Sequence, residues 1–169
     1  MRKIGENVLY GASGVMTIVD IREESIGDVS RSYYVLRPAG SRSESLTFVP
    51  ADNEKLVGAM HSLLTEAEIM ELLHNAKNTP ECQWIDANRA RAEYFKSIME
   101  SGDREKMIAM IRAIDKSGVR RNEEGRKNFL ADENAKQKAQ KLLFAEFSLV
   151  LGISEDNIAE FVEREIEKG

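Results

Sequence analysis

The sequence predicts an α+β protein in which a small β barrel is followed by an all-α helical bundle. Two patterns succeed each other along the 169 residues. Up to about Asp52, short runs of β-branched and aromatic residues alternate with turn residues, which is typical of strands. Beyond that point apolar residues recur at helical spacing and follow capping residues. We therefore predict a β domain at residues 1–58 and a helical domain at residues 62–169, with the change between about Asn53 and Ser62.

Four runs in the N-terminal part predict strands, at residues 8–10, 15–21, 33–36 and 46–49. Turns containing glycine or proline separate them. Four strands joined by such tight turns predict a strongly bent sheet that closes into a barrel. A barrel this small leaves at least one edge strand unpaired, and that edge is a surface for binding.

Five helices are predicted in the C-terminal part. Thr65 and Glu68 form a capping box for the first helix, which runs to about His74. The other four are predicted at about residues 84–100, from Asp103 to Gly118, at about residues 133–151, and from Ser154 onward.

Composition excludes several classes of protein. No apolar run approaches the ~20 residues that a membrane helix needs. Charge and glycine precede any apolar stretch at the N-terminus, so we expect no secretory signal. The single cysteine, Cys82, excludes an internal disulfide framework. These features predict a cytoplasmic protein.

Charge is unevenly distributed along the chain. The net charge of −5 favours a protein partner over nucleic acid. Residues 104–127, however, carry 8 basic and 4 acidic side chains. This block is either a solvated helix face or a phosphate-contacting surface. The second interpretation involves Arg104, Lys106, Arg112, Lys116, Arg120 and Arg121. The last two are expected in a connection after Gly118, within reach of a DNA backbone.

Residues suited to catalysis are scarce. His61 and His74 lie in dissimilar contexts, and neither belongs to a zinc-protease motif. Cys82 has no histidine beside it in the sequence. The glycines around Ser13 lack the lysine of a P-loop, so a hairpin turn is predicted there. We therefore predict no catalytic residues, no metal and no cofactor.

Trp84 is the only tryptophan of the chain, and the sequence leaves two interpretations of it open. It caps the core of the helical bundle, or it is a partly exposed aromatic wedge beside Arg89 and Arg91. An apolar side chain flanked by arginines is suited to unstacking a base step from the minor groove.

An ordered series of motifs resembles the CarD/CdnL family of bacterial transcription regulators, whose N-terminal module is shared with the transcription-repair coupling factor. The matching motifs are at residues 4–10, 14–15, 18–21, 33–36 and 49–53, at Trp84, at residues 101–103, and in the helix around residues 135–145. The resemblance covers nearly the full length of the chain in the same order.

The resemblance implies a fold, two partners and a mechanism. The N-terminal module would be a Tudor-like/SH3-like barrel that docks on the β subunit of RNA polymerase, and the helical domain would contact promoter DNA. A tryptophan at the position of Trp84 would wedge into the minor groove at the upstream edge of the bubble and stabilise the open complex. This contact needs no base-specific hydrogen bond, and tethering to polymerase allows an acidic protein to make it.

The resemblance and the residue patterns together predict two sets of site residues. For polymerase binding they are Arg22, Glu24, Tyr34 and Phe48; for DNA binding they are Trp84, Arg89, Arg91, Arg120 and Arg121. Comparable family members carry arginines where this chain has Glu24 and Phe48, and basic residues where it has Asp86 and Ala87.

The sequence therefore predicts a non-enzymatic, monomeric transcription regulator of this type. An alternative is an adaptor that binds polymerase or another protein without productive DNA contact. Exposure of the Trp84 ring favours the regulator, and burial favours the adaptor.

Overall fold

The computed structural model describes residues 1–42 and 44–169, without the side chain of Ile26. The chain divides into two compact units, Met1–Leu63 and Leu64–Gly169. The first contains an antiparallel sheet and the second is helical, which confirms the predicted α+β class.

Within the described residues, the N-terminal unit contains five strands and one short α-helix. They are β1 (Asn7–Tyr10), β2 (Val15–Ile26), β3 (Val29–Pro38), β4 (Thr47–Pro50), α1 (Glu54–Gly58) and β5 (Met60–Ser62). The strand order is β4-β3-β2-β1-β5, with every neighbouring pair antiparallel. The strands β4 and β5 are therefore the two ends of this order.

The inner face of the sheet carries the core of the N-terminal unit. Its buried members come from all five strands, and they are Val8, Met16, Ile18, Tyr34, Leu36, Val49 and Met60. Because side chains alternate along each strand, these residues share one face of the sheet.

The strand β5 was not predicted from the sequence. Asn53 caps α1 by accepting a hydrogen bond from the Leu56 amide at 3.1 Å, and this single turn of helix carries the chain back to pair with β1. The Arg2 side chain then donates to the Met60 carbonyl and to the Ser62 hydroxyl. A strand of three residues has too little periodicity to be recognised, and its pairing depends on a distant partner.

The helical unit contains five α-helices in its described residues. They are α2 (Glu66–Asn75), α3 (Asn88–Ser101), α4 (Arg104–Glu123), α5 (Leu130–Leu151) and α6 (Glu155–Lys168). Their apolar stripes meet in one cluster that includes Leu73, Phe95, Met107, Phe147 and Ile158. None of the helices described is long and apolar enough to cross a membrane.

Local capping signals predict three helix ends correctly. Thr65 and Glu68 make both hydrogen bonds of a capping box at the start of α2. Asp103 accepts a hydrogen bond from the Lys106 amide at 3.0 Å and caps α4. Gly102 ends α3 in the left-handed conformation, with φ of 67°, which glycine adopts without steric cost.

The predicted end of α4 at Gly118 is wrong, because this helix continues to Glu123. Gly118 has a packing role instead. A Cβ atom at this position would lie 3.0 Å from the side-chain amide nitrogen (Nδ2) of Asn128. The glycine therefore makes room for the connection that follows α4. Arg120 and Arg121 therefore lie in the last turn of α4 and not in a loop.

Candidate functional site

The outer face of the N-terminal sheet presents an aromatic and cationic patch. Arg22 on β2 pairs with Tyr33 on β3, and Phe48 on β4 pairs with Val35, two residues further along β3. Because side chains alternate across a strand, Arg22, Tyr33 and Phe48 lie on the same face. We call these three residues the sheet patch.

Contacts within the sheet patch fix its geometry. The Tyr33 and Phe48 rings meet edge to face with centroids 6.3 Å apart. The Arg22 guanidinium carbon lies 5.9 Å from the centroid of the Phe48 ring. Phe48 is nevertheless 42% exposed, which is unusual for a phenylalanine on an ordered strand. The patch is therefore an apolar surface available to a partner.

Acidic side chains surround the arginine of the patch. The Arg22 guanidinium lies 3.1 Å from a carboxylate oxygen of Asp20 and 3.9 Å from one of Glu24. Three predicted polymerase-binding residues, Arg22, Glu24 and Phe48, therefore occupy one surface. Its charges are mixed and exposed, so they contribute more to specificity than to stability.

Tyr34 does not belong to this surface. It pairs with Val49, is only 7% exposed, and packs in the core on the inner face. The strand alternation gives the reason, since neighbouring residues point to opposite faces. Its neighbour Tyr33 is the tyrosine on the outer face, and a polymerase contact by Tyr34 stays a prediction.

In the helical unit, Trp84 precedes α3 and does not lie in its first turn as predicted. The helix begins at Asn88, and residues 79–87 form a non-helical segment. The Cys82 amide donates to the Ala109 carbonyl on α4 at 3.1 Å. The Arg91 guanidinium donates to the carbonyls of Ile85 and Asp86. These carbonyls therefore accept hydrogen bonds from a side chain and not from backbone amides of α3.

The Trp84 ring is half-buried, between the two interpretations that the sequence left open. It packs edge to face against the buried Phe95, with centroids 6.2 Å apart. The Arg91 guanidinium carbon lies 4.5 Å from the centroid of the Trp84 ring. A non-helical segment, and not a continuous helix, therefore brings the Trp84 ring to Arg91 and Phe95.

Arg91, one of the predicted DNA-binding residues, has a buried side chain. The residue is 1% exposed, and its guanidinium forms an ion pair with Asp132 on α5 at 2.9 Å. A charge enclosed in this way and already paired has no donor left for a phosphate.

A surface hollow of about 320 Å³ lies beside Trp84. The ring lines it together with Lys116 and Arg120, which are one turn apart and exposed on α4. Glu81 also lines the hollow, and its carboxylate is 3.5 Å from the Lys116 amine. The hollow thus combines an aromatic surface with two cations and one acid.

The remaining basic residues are divided between internal and external roles. Arg104 pairs with the buried Glu146 at 2.7 Å, and Arg112 donates to the Ala76 carbonyl at 2.8 Å. Arg121 lies over the Phe129 ring, with its guanidinium carbon 3.9 Å from the centroid. Arg89 is exposed in the first turn of α3. Of the predicted DNA-binding arginines, Arg89 and Arg120 are therefore the ones directed to solvent.

Tyr33 and Lys116 lie outside the two predicted sets of site residues, although Lys116 belongs to the basic block that the sequence singled out. Tyr33 shares a face with Phe48 because Phe48 pairs with Val35, two residues from Tyr33 on β3. The register of β3 and β4 that shows this is not visible in the sequence. The signal for Lys116 is its spacing of four residues from Arg120 on one helix.

Features that support catalysis are weak in the described residues. Burial raises the pKa of the Cys82 thiol, which disfavours the nucleophilic thiolate. His74 contacts Glu165 at 3.1 Å in a link between α2 and α6. The described part of the chain holds no cluster of histidine, cysteine and carboxylate residues suited to a metal ion.

Comparison with known protein families identifies the N-terminal unit. Residues 3–62 match the family described as CarD-like/TRCF RID domain. The matched segment covers all five strands of the sheet and the whole sheet patch. This family interacts with the β subunit of RNA polymerase and is not enzymatic. No curated protein matches the chain.

Proposed function

Residues 3–62 form a CarD-like/TRCF RID domain, which makes the chain an RNA polymerase-interacting, transcription-related protein, and from this premise we propose how each unit acts. The sheet patch docks on the β subunit of RNA polymerase. The helical unit contacts promoter DNA in the minor groove through Trp84 and stabilises the open complex. The observation that carries the proposal is the family match across the unit that bears the patch.

Two features of the N-terminal unit support docking through β4. This strand is one end of the sheet order, so its outer backbone groups are available for pairing with a strand of the partner. Phe48 on the same strand supplies an exposed aromatic ring, the type of side chain that dominates binding energy at interfaces. Backbone pairing would set the register, and the ring would fill a pocket on the β subunit.

Three features of the helical unit support contact with DNA. Trp84 is partly accessible, and Lys116 and Arg120 line the hollow beside it. Arg89 adds an exposed cation on α3. These cations would contact phosphates without reading the sequence, while an aromatic ring inserted at a base step would occupy the space needed for the strands to restack.

The net charge of −5 is compatible with this contact when polymerase holds the protein at the promoter. Tethering replaces intrinsic affinity with a high effective concentration near the DNA. The protein would therefore bind free DNA weakly and act on DNA mainly in the polymerase complex.

The lifetime of the promoter open complex tests the role of Trp84. The wild-type protein is expected to lengthen the lifetime of the open complex. Trp84→Ala is expected to reduce this lengthening about fivefold or more, because one base–aromatic stack contributes about 1–3 kcal/mol. Trp84→Phe, which keeps an apolar ring, serves as the matched control and is expected to retain part of the effect. An unchanged lifetime with Trp84→Ala, while polymerase binding and folding are intact, would contradict the wedge.

The alternative is a polymerase-binding adaptor without productive DNA contact. The acid Glu81 in the hollow and the exposed Asp86 beside Trp84 favour it, because both repel phosphate. The Trp84 ring is half-buried, so its exposure favours neither the regulator nor the adaptor fully. The same lifetime assay distinguishes the regulator from the adaptor. If the protein is an adaptor, the wild-type chain binds polymerase but does not change the decay rate of the open complex.

A further inference from the structure

Four side chains of the helical unit form an alternating stack of aromatic rings and guanidinium groups. The Arg91 guanidinium contacts both rings, with its carbon 4.5 Å from the Trp84 centroid and 5.0 Å from the Phe129 centroid. Arg121 lies over Phe129 at 3.9 Å. We call this series, Trp84–Arg91–Phe129–Arg121, the cation–π ladder.

The ladder joins parts of the chain that are distant in sequence. Trp84 belongs to the non-helical segment before α3, and Arg91 is in the first turn of this helix. Phe129 is the residue before α5, and Arg121 is in the last turn of α4. The ladder therefore connects the segment that carries Trp84 to the connection between α4 and α5.

The orientation of Arg91 is fixed by hydrogen bonds around the edge of its guanidinium. Nε and one terminal nitrogen donate to the Asp132 carboxylate at 3.0 and 2.9 Å, and that terminal nitrogen also donates to the Asn88 side chain at 2.9 Å. The other terminal nitrogen donates to the carbonyls of Ile85 and Asp86 at 2.8 and 3.2 Å. Since all donors are used in the plane, the two faces of the group are left for the aromatic rings.

Phe129 depends on the ladder more than a core residue would. It is partly exposed, and its neighbour Leu130 is 75% exposed. Arg121 lies over its ring and also donates to the Lys127 carbonyl at 2.8 Å, which holds the connection in place. Phe129 is thus the second aromatic ring beside the Arg91 guanidinium.

We propose that the cation–π ladder positions Trp84, with Arg91 and Phe129 as its positioning residues. Arg91 holds the ring and the two carbonyls that follow it, and Phe129 keeps Arg91 enclosed. The pose of Trp84 then depends on the connection between α4 and α5, although this connection does not contact the ring directly in the stack. This inference goes beyond the proposed function, because it holds whatever Trp84 contacts.

Fluorescence of the 169-residue chain tests the ladder, since Trp84 is its only tryptophan. Phe129→Leu removes one aromatic face from Arg91 but keeps an apolar side chain. The variant loses the desolvated cation–π contact between Phe129 and Arg91. This loss is expected to raise the population of chains in which the Trp84 ring has left its position, relative to those in which it keeps it, about five- to thirtyfold. The observable is a red-shifted emission and stronger quenching by acrylamide, measured where circular dichroism shows the variant to be folded.

Two variants make this result specific. Phe129→Tyr keeps a ring over Arg91 and is expected to retain the wild-type emission. Phe161→Leu alters a separate aromatic–cation pair on α6, in which the Arg164 guanidinium carbon is 5.4 Å from the Phe161 centroid, and is expected to leave Trp84 unchanged. A folded Phe129→Leu protein with wild-type emission and quenching would overturn the proposal, and so would equal shifts with Phe129→Leu and Phe161→Leu. No DNA or polymerase is present, so failure of the wedge would not affect this result.

Discussion

An arginine lies against an aromatic ring in both units, and the two arrangements differ in burial and in hydrogen bonding. In the sheet patch, the Arg22 side chain is 48% exposed and its guanidinium is 5.9 Å from the Phe48 centroid. In the helical unit, Arg91 is 1% exposed and lies 4.5 Å from the Trp84 centroid. The exposed pair is suited to contacting a partner, whereas the buried pair has the properties of an internal support.

This difference shows that residue type does not define a binding site without the partners of each residue. Asp132 and two backbone carbonyls occupy the donors of Arg91, while the acids near Arg22 are themselves exposed to water. A buried charge needs such partners, and an exposed charge does not. The comparison predicts large stability effects in the helical unit and large binding effects at the sheet patch.

The largest stability effect is expected from breaking the Arg91–Asp132 ion pair. Asp132→Ala leaves a buried guanidinium without its carboxylate, and such a loss costs about 3–5 kcal/mol of unfolding free energy. Urea unfolding of the whole chain, followed by circular dichroism, measures this loss.

The matched control is Asp115→Ala, which removes an exposed aspartate paired with Lys136. An exposed pair contributes about 0–1 kcal/mol, so this variant should unfold close to the wild type. Equal effects of the two substitutions would remove the distinction between internal support and exposed charge.

A smaller effect is expected at the contact between α2 and α6. The hydrogen bonds from Lys168 and then His74 hold the pKa of Glu165 below its ordinary value. A carboxyl group with a lowered pKa stabilises the fold above its ordinary pKa of about 4.5, and this contribution is lost as pH falls through the lowered value. Glu165→Gln should therefore lower stability at neutral pH and flatten its fall in acid.

Urea midpoints across the acid range check this pH dependence. Glu160→Gln, at an exposed position on the same helix, is the control and is expected to keep the wild-type slope. If Glu165→Gln shows the same acid loss of stability as the wild type, the two hydrogen bonds have no part in it.

The sequence was sufficient to predict the features that depend on neighbouring residues. The capping box of Thr65 and Glu68 and the cap at Asp103 involve partners three residues apart, so a local pattern contains all of their information. The order of sheet and helices followed from periodicity in the same way.

The sequence was insufficient where distant residues decide the outcome. Arg91 was predicted to contact DNA because it is a cation near Trp84. Its hydrogen bond to Asp132, 41 residues away, is not visible in the sequence. Tyr34 and Tyr33 cannot be assigned to the inner and outer faces until the register with β4 is known. Gly118 has the signature of a helix end, and only the approach of Asn128 shows why glycine is needed within α4.

Binding of the whole chain to the isolated β subunit of RNA polymerase tests the proposed docking surface most directly. The variants are Phe48→Ala and Tyr33→Ala in the sheet patch, with Ile4→Ala as control, because Ile4 is 61% exposed and precedes β1. An aromatic hot spot contributes about 2 kcal/mol or more, so Phe48→Ala is expected to weaken binding roughly 30-fold, with a smaller loss for Tyr33→Ala and none for Ile4→Ala. Wild-type affinity of a folded Phe48→Ala protein would contradict the docking surface, and absence of binding by the wild-type protein would contradict the proposed partner.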